Sequence, residues 1–151
     1  AGLKIHPDNI DEFRGMLNSA TSQRLCKADL IPVVNIDAEV PFSMLSKAVV
    51  TELARLSPHG EGNPLPLFAA THLKIAGQPR RIGSKGQHLS FYVKQGDVAI
   101  RAVAFGMGEH IDRLRQNGRT CSLAFAVKIN NWMDKEQLEL EVKDVKFDDE
   151  A

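Results

Sequence analysis

Two cysteines, one tryptophan and one tyrosine are all that this 151-residue chain holds of three residue types that often build staples, metal clusters and stacking platforms. Cys26 and Cys121 stand far apart with no Cys-x-x-Cys partner, which argues against a zinc cluster and leaves two reduced, partly buried small hydrophobes. His6, His59, His72, His88 and His110 show neither the i, i+4 spacing of a helical metal site nor a ligand-like carboxylate nearby. No apolar run approaches the roughly 20 residues of a membrane helix, and no charged-then-apolar signal segment opens the chain, so the reading is a cytoplasmic protein without a membrane partner. A phosphate-cradling glycine loop and a nucleophile elbow are missing too. Asp8, Asp11, Glu12, Asp37 and Glu39 are carboxylates without a convergent base or metal partner, so catalysis by this chain finds no support.

An excess of charge of one sign is also absent, since the formal net charge is zero. That alone would argue against nucleic acid, but the distribution is uneven. Residues 1–58 carry 6 basic and 7 acidic side chains, residues 74–128 carry 10 and 3, and residues 129–151 carry 3 and 8. A basic block is thus concealed by an acidic end.

What is present divides at Gly60-Glu61-Gly62-Asn63-Pro64-Leu65-Pro66-Leu67-Phe68, where two glycines and two prolines suit neither helix nor central strand. Before it, Leu3–His6 predicts a short strand, and Pro7-Asp8 opens a helix whose stripe is Ile10, Phe13 and Leu17. The alternation of Val34, Ile36, Ala38 and Val40 with Asn35, Asp37 and Glu39 predicts a half-buried strand over 31–40. Leu45 to Leu56 returns to helix, with Leu45, Val49, Leu53 and Leu56 on one side and Ser43 as cap. Two short strands and two helices seldom make an independent core, and the first strand's far edge is open. Residues 1–57 therefore read as a truncated α/β lobe, continued by more sheet before residue 1 or by edge-strand pairing with a second copy.

After a hinge at 58–66 the pattern turns to strands over 67–76, 88–95, 98–105, 120–130 and 138–147, with a short helix near 109–116. Turns fall at Gly77-Gln78-Pro79, Gly83 to Gly86, Gln95-Gly96-Asp97 and Asn131 to Lys135. Five strands with a helix between the third and fourth follow the order of an OB-fold barrel over 67–148, although SH3-like barrels also use five short strands. The fold class is α+β: a strand-helix-strand-helix lobe followed by a five-stranded barrel.

On the second barrel strand, Leu89, Phe91 and Val93 face inward, and His88, Ser90, Tyr92 and Lys94 outward. An exposed Tyr between His and Lys on that strand is either a solvated face or a platform for single-stranded nucleic acid. Arg80, Arg81 and Lys85 surround a Gly-Ser-Lys-Gly turn, either a solubilising loop or a phosphate-binding one. Arg101, opposite in direction to Ile100, extends the basic track or pairs with a carboxylate. Trp132 borders the ligand groove or packs over the barrel end, while Phe105 and Phe125 read as core. Arg113, Arg115 and Arg119 have Glu139 and Glu141 as candidate partners.

Several short motifs occur in a fixed order: Gly60-Glu61-Gly62-Asn63-Pro64 with Pro66 and Phe68, His88-Leu89, Phe105-Gly106-Met107-Gly108-Glu109, and Asn130-Asn131-Trp132. In this order and spacing the chain resembles the C-terminal part of the RecJ family of single-strand-specific DNA exonucleases. The opening Ala1-Gly2-Leu3 is similar to the end of the glycine- and histidine-rich motif of that family's DHH-associated domain. His59 departs from the aromatic usual there, and the Asp and His motifs of the catalytic DHH domain have no counterpart. The resemblance implies single-stranded DNA binding and substrate guidance within a 5′-to-3′ exonuclease of DNA repair and recombination. Arg80, Arg81, Lys85, His88, Tyr92, Lys94, Arg101 and Trp132 are then the DNA-contacting candidates. It implies Mn or Mg only in a catalytic domain missing here, which would be the second partner. The rival reading is an OB-like protein-interaction module whose basic block is neutralised by its own acidic strand.

Overall fold

The computed structural model describes residues 2–116, 120–132 and 135–148, and of Trp132 only the backbone. The chain divides into two compact units, Ala1–Val33 and Val34–Ala151.

The first unit consists of a 3-10 turn at Pro7–Asn9, helix α1 (Ile10–Arg24) and a second 3-10 turn at Lys27–Leu30. Pro7 presets the first turn, and Asp8, Asp11 and Glu12 at the start with Arg24 at the end complement the helix dipole. The predicted strand at Leu3–His6 is not formed, because a strand exists only against a partner backbone and none pairs with it among the described residues. There is consequently no strand edge at Leu3–His6 for a second copy to extend. The expected stripe is not buried either: Ile10 and Leu17 are exposed and Phe13 half-buried, since this unit offers α1 no second layer. Cys26 is exposed rather than partly buried.

In the second unit the strands are β1 (Ala38–Glu39), β2 (Phe68–Ile82), β3 (His88–Gln95), β4 (Val98–Ala104), β5 (Thr120–Trp132) and β6 (Lys135–Phe147). Their order is β1-β2-β3-β4-β6-β5, and β2 also pairs with β5, so β2 to β6 close into a five-stranded barrel. Within it β4 and β6 run parallel, and the other ladders are antiparallel. Between β4 and β5 lie a 3-10 turn at Gly108–His110 and the one-turn helix α3 (Ile111–Leu114). This is the OB-fold connection order, which excludes the SH3-like alternative.

One strand can serve two neighbours because β2 bends twice. Its register slips between Ala70 and Leu73 against β5, where His72 adopts φ 55°, and between Ala76 and Arg80 against β3, where Gly77 has φ 70°. Gly77-Gln78-Pro79, expected to be a turn, is therefore a bulge inside a 15-residue strand. Its Pro79 is fully buried and removes a ladder donor where pairing is already broken.

Only Ala38–Glu39 of the alternating 31–40 segment forms a ladder, pairing in parallel with Phe68–Ala69. The flanks are occupied otherwise: Lys27–Leu30 is a 3-10 turn, and Asp37 accepts the Leu67 amide on Oδ2 at 2.8 Å. Helix α2 (Lys47–Ala54) starts later than expected, capped by Ser46, whose Oγ accepts from the Val49 amide; Ser43 sits in the preceding 3-10 turn, Phe42–Met44. Its buried residue is Val50, whereas Val49 and Leu56 are exposed. The Gly60–Phe68 stretch lies inside this unit, since the Phe42 turn and α2 belong to it as well.

The barrel core contains Leu73, Leu89, Phe91, Val93, Ile100, Leu123, Phe125, Leu140 and Phe147, all at most 4% exposed. Phe42 closes one end, its ring edge-on to Phe125 at 6.3 Å. The Phe42 amide donates to Gln95 Oε1 at 2.8 Å and Gln95 Nε2 donates to the Thr71 carbonyl at 2.9 Å, so the plug's buried polar groups are satisfied.

Candidate nucleic-acid interface

Strand periodicity sets the site. With Leu89, Phe91 and Val93 buried, Ser90, Tyr92 and Lys94 leave the barrel on its other side, as do Arg101 and Val103 on β4. Residues directly opposite one another share a face, so the ladders compose a row Ala76, Tyr92, Arg101, Glu139, Lys128 across β2, β3, β4, β6 and β5. A second row runs Arg80, Ser90, Val103, Glu141, Ala126. Above the first row lies a groove of about 550 Å³ lined among others by Tyr92, Arg101, Phe105, Asn130, Gln137 and Glu139. Beside it, a recess of about 460 Å³ shares Tyr92 and Arg101 and adds Gln78 and Arg80 from the β2 bulge.

Two aromatic side chains flank the groove with accessible faces, Tyr92 at 46% exposure and Phe105 at 51%. Half-exposed rings in a concave site are stacking platforms for planar groups. Phe105 is held from behind: its ring meets His88 at 5.1 Å, and the Gly106 amide donates to His88 Nδ1 at 2.9 Å. His88 is thus half-buried support for a groove wall.

The groove floor is ionic and self-neutralised. Glu139 is 5% exposed and accepts from Arg101 Nη1 and from Asn130 Nδ2 at 2.8 Å, with Lys128 Nζ 3.4 Å from its other oxygen. Arg101 also donates through Nε to Ser90 Oγ at 3.1 Å. Next along β6, Glu141 is held below the usual carboxylate range chiefly by the Lys143 hydrogen bond, with Lys128 adding to it against the opposing cost of burial. Arg101 therefore takes the carboxylate-pairing role, not that of a free cation.

The cations at the rim differ. Arg80 is exposed and enters the recess; Arg81, opposite Leu89, is exposed on the alternate side of β2. Lys85 is exposed in the loop joining β2 to β3, where its amide donates to Gln87 Oε1 at 3.0 Å. Lys94 faces Lys74 across the ladder, 4.0 Å from Asp97. The loop is seated on the Gly106–Gly108 turn by the Gly108 amide, which donates to the Gln87 carbonyl at 3.0 Å. A Cβ on Gly108 would lie 2.6 Å from the Gly86 carbonyl oxygen, so the close approach requires glycine.

Of the remaining candidates, Trp132 pairs its backbone with Lys135, and its side chain lies outside the described residues, as do Arg119 and the acidic run Asp149-Glu150. Arg113 places its guanidinium 3.9 Å over the Phe147 ring. Arg115 reaches the Pro79 carbonyl at 3.5 Å. Part of the basic excess is therefore structural. Among the described residues no cluster of three or more His, Cys, Asp or Glu side chains could hold a metal ion, and no helix is long and apolar enough to cross a membrane.

Among the groove residues that sequence reasoning missed are Phe105, assigned to the core, Asn130 and Gln137. The parity of β4 would have found the first, because Ile100, Ala102 and Ala104 point inward and 105 continues the series of 101 and 103. Phe125, by contrast, is fully buried as expected.

The family model of the RecJ OB domain matches residues 36–144. The single-stranded-DNA-specific exonuclease RecJ of Bacillus subtilis is 24% identical over 144 residues, 95% of this chain and 18% of that protein. The enzyme of the same name from Thermus thermophilus is 42% identical over 72 residues, 40% of this chain and 10% of its own. A crystal structure of RecJ from Thermus thermophilus in complex with Mn2+ superposes with a TM-score of 0.69 at 25% identity, covering 96% of this chain and 20% of that one. The chain thus spans a fifth or less of the length of these relatives.

Proposed function

The chain belongs to the RecJ OB domain family, and on that footing we propose that it binds single-stranded DNA in the Tyr92–Phe105 groove and guides it within a RecJ-like 5′-to-3′ exonuclease. The observation that carries this reading is the pair of half-exposed rings flanking one groove, beside a rim bearing Arg80 and Lys85. Bases stack on Tyr92 and Phe105, while phosphates run past Arg80, Arg81, Lys85 and Lys94. Base–aromatic stacking is worth about 1–3 kcal/mol per base and tolerates any sequence, which suits an enzyme that must pass every base through.

Cleavage belongs to the catalytic part of a longer protein, working in the cytoplasm in repair and recombination, with which this domain shares the strand. The Mn2+ or Mg2+ implied by the resemblance has no ligand cluster among the described residues here, so no step assigned to this chain passes through a metal. Fluorescence anisotropy of a labelled oligo-dT at low salt tests the reading. Saturable binding that weakens with salt is expected; no binding overturns it.

The competing reading, a protein-interaction module, draws on the pairing of Arg101 and Lys128 with Glu139. It predicts no oligo-dT binding at any salt concentration, so the same titration separates the two.

A further inference from the structure

The groove places a buried carboxylate where a nucleic-acid site would be expected to place a cation. Glu139 lies in the central row of the face, and every charge that touches it is already matched: Arg101 Nη1 from β4, Lys128 Nζ from β5, with the Asn130 amide on the same oxygen as Arg101. A phosphate brought onto this floor would meet that carboxylate at short range in a partly desolvated site, where like charges repel strongly. A base is neutral and meets no such penalty.

Resting on the single-strand-binding reading above, we infer that Glu139 is a positioning residue that selects for bases over phosphates on the groove floor. It acts through Arg101, which it neutralises and fixes between Ser90 and itself, and shares Lys128 with Glu141, so the sugar–phosphate backbone is turned outward to the Arg80 and Lys85 rim. Glu139 therefore sets which side of the strand enters the groove without touching it.

Binding of the full 151-residue chain to fluorescein-labelled oligo-dT and to an abasic strand of equal length, each across a salt series, tests this. The wild type is expected to prefer oligo-dT by about tenfold or more, as one or two stacked bases would give. Glu139→Gln releases Arg101, while Lys128 keeps Glu141: the log–log salt slope steepens by about 0.7 as Arg101 turns to a phosphate, and the preference for bases shrinks. Lys128→Gln, which removes a cation already neutralised, leaves the slope where it is. Equal affinity of the wild type for both strands overturns the inference and leaves DNA binding standing. An unchanged slope and preference in a Glu139→Gln chain that melts cooperatively overturns it as well. If Glu139→Gln does not fold, an Arg101→Gln slope shallower by about 0.7 overturns it and an unchanged slope upholds it. Failure of the wild type to bind either strand removes this inference together with the function it rests on.

Discussion

Phe105 leans edge-on against His88, with ring centroids 5.1 Å apart at an interplanar angle of 70°. The same imidazole accepts the Gly106 amide on Nδ1, so its second nitrogen carries the proton in the neutral ring, and the residue that follows Phe105 is fixed as well. His88 contributes to a stacking wall by holding it. His88→Ala is expected to weaken oligo-dT binding less than Phe105→Ala does, and the double variant to lose less than the sum of the two. A double-mutant cycle should return a coupling of about 0.5–1.5 kcal/mol; strict additivity would show that the contact does nothing for the groove.

Tyr92 stands opposite Arg101 on the neighbouring strand and is 46% exposed. Replacing it by Ala removes a platform without opening the core. Tyr92→Ala should therefore cost about 1–3 kcal/mol in oligo-dT affinity while moving the melting temperature little. Affinity by anisotropy and stability by circular dichroism on one preparation check both halves; a stability loss matching the affinity loss would mean that Tyr92 is structural.

Much of the barrel was legible in the sequence because period-two alternation and glycine-marked turns are local signals. His88–Gln95 falls where the pattern puts it, and the other barrel strands are each placed to within a few residues of one or both ends. What was not legible depends on partners. Gly77-Gln78-Pro79 carries turn chemistry, yet the strand continues through it because β3 and β5 hold its two halves. Leu3–His6 and most of residues 31–40 have strand composition and, among the described residues, no neighbour to complete a ladder. At the site, Arg101 could have been free or paired, and only the parallel register of β4 with β6 brings Glu139 beside it.

The rim cations act on a different observable from the rings. Arg80, Arg81 and Lys85 are exposed and sit on β2 and the loop that follows, so their pairing with phosphate would be ionic and weakly directional. Changing each to Gln should reduce the magnitude of the log–log salt slope by about 0.7 for every phosphate that is no longer neutralised, with the melting temperature unmoved. Salt titrations of the single and triple variants measure this; a triple variant with the wild-type slope would place the strand elsewhere.

Gly108 links the rim loop to the groove wall. Its amide bonds to the Gln87 carbonyl, and an added Cβ would sit 2.6 Å from the Gly86 backbone oxygen, with no flexible side chain to yield. Gly108→Ala should cost about 1–3 kcal/mol by forcing the two backbones apart. It should also weaken oligo-dT binding, since Lys85 and Phe105 lie on the two segments separated. Chemical denaturation and anisotropy report the two effects, and a variant as stable as the wild type would show that the loop shifts freely.

Cys121 on β5 is fully buried, and burial pushes its thiol up to about 12, with the Asp148 carboxylate adding to the shift. In the unfolded chain the thiol ionises near its ordinary value of about 8.5. Below that value both states hold the proton and the contribution to stability is complete. Above it the unfolded state releases the proton while the folded state keeps it, so stability falls as pH rises until the folded thiol also ionises. The stability of the wild type minus that of Cys121→Ala should be flat up to about pH 8, then decline toward about pH 12 by up to roughly 1.4 kcal/mol per pH unit. Urea unfolding of both chains over that range measures the difference, and a flat difference would show that the thiol is reachable by solvent. Alkylation gives an independent check: with Cys26 exposed and Cys121 buried, a native chain should take up one label and an unfolded chain two.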